Sequence, residues 1–167
     1  MAETAPDPES PSSRIAIREP AAHEFPEVAE LITGLVEPLI APHCTPDERR
    51  LWLESLQADA LAAVRHSGVR YVVAAQDDRI VGVGALRDVH HLFHLYVATP
   101  WQRRGIGGRL WRALREAAEN AGARETYVNA WLDAVPVYLR FGFEPVGSPL
   151  RHLGVPRQTM VRVVRSG

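Results

Sequence analysis

The sequence predicts a mixed α/β domain built on one sheet, and three observations carry that prediction. Arg14-Ile15-Ala16-Ile17-Arg18 alternates in the manner of a short strand. Two apolar runs, 70–76 and 80–86, are separated by Asp77-Asp78-Arg79, a spacing that suits a hairpin. After Pro100 the period changes: Ile106, Leu110, Ala113, Leu114, Ala117 and Ala121 fall on one helical face, with Arg109, Arg112, Arg115 and Glu119 outside it.

In chain order, residues 1–13 are rich in Pro, Ser, Ala and acid and are expected to be a disordered tail, since they bury too little to offset the cost of ordering. A strand over 14–18 follows. Phe25, Val28, Ala29, Leu31, Ile32, Leu35 and Val36 then recur at helical spacing until Pro38, which is expected to end the run. A second helix opens on Thr45-Pro46-Asp47-Glu48, which offers an N-cap, a first-turn proline and a capping-box glutamate. Leu51, Leu56, Leu61 and Val64 carry it towards Gly68. The hairpin strands come next, then an apolar and aromatic strand over 91–98. The helix after Pro100 stops at Gly122. A strand over 125–130, a helix over 133–140, and strands near 143–146 and 158–164 complete the order β-α-α-β-β-β-α-β-α-β-β. No internal repeat or second domain is evident, so 14–167 reads as one domain.

Composition narrows the function classes. The chain has 167 residues, enough for a self-sufficient core, and a formal net charge of −1 that gives no general pull towards nucleic acid or an anionic membrane. There is no lysine: all nineteen basic residues are arginine, which excludes a Schiff-base lysine and a Walker-type phosphate lysine. The single Cys44 can form neither an internal disulfide nor a cysteine metal cage, so a reducing compartment and no metal are expected. No apolar run approaches a membrane span, and the first residues lack signal-peptide character. A cytoplasmic protein with no membrane or nucleic-acid partner is the expectation.

The chemistry concentrates at Gln102-Arg103-Arg104-Gly105-Ile106-Gly107-Gly108. A strand, a short loop and a helix start place free backbone N–H groups together, where the dipole favours an anion. Glycines remove Cβ atoms from the path of a phosphate, and two arginines add charge at the rim. The dinucleotide fingerprint G-x-G-x-x-G is not met, because its third position is Leu110. An arginine-rich surface helix after an ordinary loop remains the plainer alternative for this stretch alone.

The wider stretch Leu95-Tyr96-Val97-Ala98-Thr99-Pro100-Trp101-Gln102-Arg103-Arg104-Gly105-Ile106-Gly107 resembles the cofactor signature Q/R-x-x-G-x-G/A of the GNAT acetyltransferases. Val128-Asn129-Ala130 and the run from Ala134 to Phe143 resemble the same family's second cofactor segment. The resemblance extends from Arg14 to the end of the chain. It implies a GNAT fold with a splayed central sheet and acetyl-CoA as cosubstrate, entering the gap after the fourth strand. The pantetheine arm would pair with backbone at Leu95 and Val97. The amides of Gln102, Arg103, Arg104, Gly105, Ile106, Gly107 and Gly108 would wrap the pyrophosphate. Asn129 would bond the pantetheine or fix the turn after the fifth strand.

For catalysis, the resemblance implies direct attack of an amine on the thioester. Tyr138 is the candidate acid that protonates the departing thiolate; its plainer role is packing beside Phe141. Strict alternation puts His91, Phe93, Leu95 and Val97 on one strand face and Leu92, His94 and Tyr96 on the other. The family pattern selects His91 as the base, with His94 second because a bulge would reset the parity. A solvated His91 and a water chain are equally open. Cys44 reads as an idle thiol, Trp52, Trp111 and Trp131 as packing residues, and Trp101 as a shield on the cofactor loop.

The resemblance also implies an acceptor pocket shaped by the first two helices and the loop before the last strand, here near 33–50 and 147–157. There Glu37, His43 and Asp47 suit a cationic amine, and Arg151 and Arg157 suit a carboxylate. These charges do not identify the substrate; the resemblance implies a small-molecule or peptide amine as acceptor. A non-catalytic acyl-CoA sensor is the alternative function, and a homodimer joined through the C-terminal strand is left open.

Overall fold

The computed structural model describes residues 14–165; the expected tail lies outside the described residues. The elements run β1 (Ala16–Arg18), α1 (Phe25–Ile40), α2 (Pro46–Ser55), α3 (Ala58–His66), β2 (Arg70–Gln76), β3 (Arg79–Arg87), β4 (His91–Val97) and α4 (Ile106–Asn120). They continue with β5 (Glu125–Trp131), α5 (Val135–Arg140), β6 (Glu144–Pro145), β7 (Leu150–His152) and β8 (Val155–Val163). The eight strands form one mixed sheet in the order β1-β2-β3-β4-β5-β8-β6, with β7 also on β8. The mixed α/β fold class read from the sequence is the one observed.

The sheet separates two apolar cores. Phe25, Val28, Ile32, Val36 and Ile40 of α1 pack with Leu61 and with Val73 and Val83 of the sheet. On the other face Ile106, Leu110, Trp111 and Leu114 of α4 pack with Val128, Phe143 and Met160. The β2–β3 hairpin turns through Asp77 and Asp78, both at positive φ (47° and 63°), a two-residue turn whose twist matches the strands. Arg18 and Glu24 form a two-pronged ion pair at 2.8 and 2.7 Å that fastens β1 to the entry of α1. Arg18 and the backbone N–H of Ala21 hold the Glu24 carboxyl at about 2, well below the usual range.

Three expectations are corrected. Pro38 does not end the first helix, which runs on to Ile40 and buries that side chain completely. So late in the helix, the missing N–H removes a single bond near the end. The second helix is two helices, broken where Leu56 (φ −102°, ψ 3°) and Gln57 (ψ 153°) leave helical geometry. On a continuous helix Leu56 and Leu61 would lie about 140° apart, whereas the break sends both into one core, 4% and 1% exposed. The strand faces also differ from simple alternation. Ala85 pairs with His94 but Leu86 pairs with Leu92, so Phe93 is an extra residue in β4. Leu92, Leu95 and Val97 consequently face the α4 core, and Phe93 and Tyr96 face the α1 core.

The expected last strand starts earlier, as β8, and forms with the additional β7 a hairpin whose turn docks over α2. Gly154 (φ +79°) lies so close that a Cβ would sit 2.5 Å from the carbonyl oxygen of His43. The Leu153 carbonyl accepts from Cys44 Sγ at 3.2 Å and from Trp52 Nε1 at 3.3 Å. This turn closes one side of the site described next.

Candidate functional site

β4 and β5 run parallel but are paired only at His91↔Tyr127, so the sheet splits open from there. Tyr127 N–H donates to His90 O at 2.7 Å and holds the closed end. Along β4, Ala98 N–H donates to Val81 O on the β3 side. By alternation, the backbone groups of Leu95 and Val97 then point into the gap. Val97 O indeed accepts from Gln102 Nε2 at 2.9 Å rather than from β3. A strand edge in the middle of a sheet is thus left open.

The glycine turn stands at the mouth of this gap. Thr99–Trp101 form a single 3-10 turn, Arg103 adopts φ 61°, and Gly105 (φ 78°) is the N-cap of α4. A side chain at Gly105 would be strained in that left-handed conformation. No side chain caps the helix, and Arg109 N–H to Gly105 O is its first backbone bond. The amides of Ile106, Gly107 and Gly108 therefore keep the free donors that helix starts leave. Arg103 and Arg104 are exposed beside them. Trp101 of the same loop is anchored away from α4: its Nε1 donates to Gln76 Oε1 at 2.8 Å, and Arg79 lies over its ring.

Deeper between β4 and β5 is a cavity of about 360 Å³. Tyr138, His91, His94, Leu95 and Asn129 all line it, so the fold brings together residues that lie far apart in the chain. Pro136 in the first turn starts α5, which presents Tyr138, 7% exposed and edge-on to Phe143 at 5.7 Å. Burial, and then the neighbouring Tyr96, push the phenol of Tyr138 well above its ordinary value, so it holds its proton. Asn129 Oδ1 accepts from Thr159 Oγ1 at 2.8 Å across the β5–β8 ladder. That bond fixes the amide plane from the far side and leaves its NH₂ directed away from Thr159.

His91 stacks on Tyr127 at 4.4 Å and is half-buried. Burial, then the charges of Arg87 and Arg157, lower it to about 4, with Asp88 opposing. His94 is 6% exposed, and neither ring nitrogen has a partner among the described residues. Burial, then Arg87, His91 and Arg157, lower it to about 3. Both imidazoles are neutral at pH 7 and present a lone pair.

Several cavity residues were not legible in the sequence. Trp52 and Trp131, taken as packing residues, form an aromatic wall at 5.5 Å from each other, while Trp111 packs against Phe143 as expected. Arg87, Tyr96 and Phe93 also line the cavity, brought there by the β3–β4 register and the bulge. The segment 33–50 does not line it; the wall comes instead from Leu51, Trp52, Ser55 and Leu56 of α2 and its end. Of the acceptor candidates, Glu37 pairs with Arg49, Asp47 lies near Arg50, and Arg151 donates to Gly154 O. Only Arg157 enters the cavity. The Cys44 thiol is raised by burial and by Glu48 and lies outside the lining.

The family model of the acetyltransferase (GNAT) domain matches residues 40–164. The chain belongs to the GNAT acetyltransferase family. Its structure is similar to a GCN5-related N-acetyltransferase from Rhodopseudomonas palustris at 22% identity, TM-score 0.76, covering 91% of this chain and 97% of that one. It is also similar to the PaiA N-acetyltransferase of Thermoplasma acidophilum in complex with coenzyme A, at 15% identity, TM-score 0.75, and 90% and 99% coverage. A ribosomal-protein-alanine N-acetyltransferase from Brucella melitensis aligns at 21% identity, TM-score 0.64, and 89% and 99% coverage. No curated protein sequence gives a significant match. Among the described residues, no cluster suits a metal ion and no helix is long and apolar enough to cross a membrane.

Proposed function

We propose that the protein transfers an acetyl group from acetyl-CoA to an amine, by direct attack within a ternary complex. The observation that carries this reading is the continuity of the open β4 edge. It leads from the uncapped start of α4, past Leu95 and Val97, to a cavity lined by Tyr138. The residues present fit acetyl-CoA at each point. The amides of 102–108 meet a pyrophosphate, with Arg103 and Arg104 adding charge. The gap-facing backbone groups of Leu95 and Val97 meet an amide-bearing arm, with the Gln102 side chain now on Val97 O giving way where needed, and the Asn129 NH₂ adds a donor. When bound, acetyl-CoA supplies the activated acyl group and a thiolate leaving group.

The protein's own residues do the rest. The β4–β5 gap fixes the approach of the amine and screens it from bulk water. Tyr138 delivers its proton to the departing sulfur. Neutral His91 accepts the proton released by the amine, directly or through water, and His94 stands behind it with two free nitrogens.

Two experiments test this reading. Acetyl-CoA in excess is expected to raise the melting temperature, because a ligand of the native state stabilises it; no shift would remove the cofactor assignment. Release of free CoA thiol with an acceptor then separates an enzyme from an acyl-CoA sensor. Gly107→Ala refines the cofactor site. Its Cβ would meet Val97 Cγ2 at 3.8 Å, an ordinary contact, so the free protein accommodates it. Alanine also favours the helix by about 1 kcal/mol. The expected result is an unchanged or higher melting temperature with roughly tenfold weaker acetyl-CoA binding. Unchanged affinity would separate this turn from the pyrophosphate.

A further inference from the structure

The cavity between β4 and β5 holds an unbalanced charge. Arg87 and Arg157 line it, together with His91, His94 and His152, and no aspartate or glutamate does. Elsewhere three half-buried arginines meet carboxylates, while Arg65 lies over the Phe25 ring with no ion pair among the described residues. Arg18 pairs with Glu24, and Arg115 and Arg162 share Glu119. Arg157 and Arg87 are both half-buried, and neither side chain has an ion pair or hydrogen bond with the described residues. Each is held only by an aromatic face: Arg157 lies 5.4 Å from the centre of the Trp52 ring, and Arg87 lies 3.8 Å from that of Phe93. The acid nearest in effect, Asp88, is exposed and acts only weakly on His91.

A half-buried guanidinium without a counter-charge is costly, and burial lowers the Arg157 group from its ordinary value. A planar guanidinium beside an indole face keeps its N–H donors free to meet a carboxylate through two parallel bonds. His94 contributes a second, independent sign of a polar occupant, since both ring nitrogens are buried, unpartnered and at the cavity wall. The apolar remainder, Trp52, Trp131 and Phe93, provides a surface for a side chain. At about 360 Å³ the cavity has the size of a small-ligand pocket.

We propose that the acceptor is a small amino-carboxylic acid with an apolar or aromatic side chain, its carboxylate seated between Arg157 and Arg87. This rests on the acetyl-transfer reading above and specifies its acceptor. The amine then lies towards His91 and Tyr138. Polyamines, aminoglycosides and basic peptides are disfavoured, because their charges would meet two uncompensated guanidiniums. The same field favours the neutral form of the attacking amine.

The test uses the full chain with acetyl-CoA and reads free thiol. Phenylalanine, leucine and methionine are each compared with their carboxamide and methyl ester, and with spermidine and kanamycin. The expected result is at least about a tenfold higher kcat/KM for the acid over its carboxamide. Arg157→Gln, and separately Arg87→Gln, bring that ratio to within about twofold, chiefly through the acceptor KM, while the KM for acetyl-CoA is unchanged. Arg157→Lys restores part of the preference, as a charge without the fork geometry does. A binding arm needs no turnover: N-acetylphenylalanine should bind the CoA-saturated protein more tightly than its carboxamide, and Arg157→Gln should abolish the difference. Preference for the carboxamide, the ester or a cationic acceptor, or an acid preference that survives both glutamine variants, overturns the proposal. So does the absence of a difference in both the turnover and binding arms. Turnover of spermidine or kanamycin alone would leave acetyl transfer standing, whereas loss of the acetyl-CoA thermal shift would remove that reading as well.

Discussion

Tyr138→Phe is expected to lower kcat by about a hundredfold at pH 7, in the range that a positioned general acid contributes. The ring would remain in its slot against Phe141 and Phe143, at 6.3 and 5.7 Å, so packing survives the loss of the hydroxyl. Its burial keeps the phenol protonated throughout the working range, which is the form a proton donor needs. The KM for acetyl-CoA should change by no more than about twofold, because the hydroxyl acts on a charge that develops only as the thioester breaks. Steady-state kinetics with thiol detection and a melting curve on the same sample check both halves. Full turnover in the phenylalanine variant would remove Tyr138 from the chemistry, and a large fall in melting temperature would reassign it to packing.

The second large effect concerns acid. His94 is buried among Tyr71, Phe93 and Tyr96 and faces the charges of Arg87, Arg157 and His91. Its folded-state value of about 3 lies below the ordinary 6.5. A histidine depressed in the native state binds its proton first in the unfolded chain. Its stability contribution is therefore complete above pH 6.5 and declines as the pH falls towards 3. By pH 5 the loss is about 2 kcal/mol from this residue. His91, lowered to about 4, acts in the same direction over a narrower window. Denaturant unfolding at pH 7.5 and pH 5 measures the difference. His94→Phe keeps an aromatic ring, removes two unpartnered nitrogens and should flatten the acid loss by about 2 kcal/mol. An equal acid loss in the variant would show that His94 is not the group that titrates.

What could be read in advance divides along physical lines. Local chemistry was legible: the two-residue hairpin at Asp77 and Asp78, the Thr45 capping box, and α4 with its stop at Gly122 depend on near neighbours in the chain. The glycine turn was legible because both its spacing and its residue types are local. The break between α2 and α3 was not, since it reflects a core that Leu56 and Leu61 must reach together. Nor was the bulge at Phe93, which appears only in the pairing of β3 with β4. The bulge decided which strand residues share a face, so simple alternation misplaced His91 and Phe93 relative to Leu95. The charged lining was hidden for the same reason. Arg87 and Arg157 are 70 positions apart in the chain, and nothing local marks either as facing inward while Arg151 stays outside.

The single bridge between His91 and Tyr127 has a mechanical consequence. The apolar cores on the two faces both run across this seam, yet the backbones of β4 and β5 pair at one rung. A ligand laid along the open edge of β4 would act as a keystone, adding backbone rungs where the protein has none. The two halves of the sheet, already joined by side-chain packing, would then be joined by backbone as well, and the resistance of the seam to shear would depend on what occupies it.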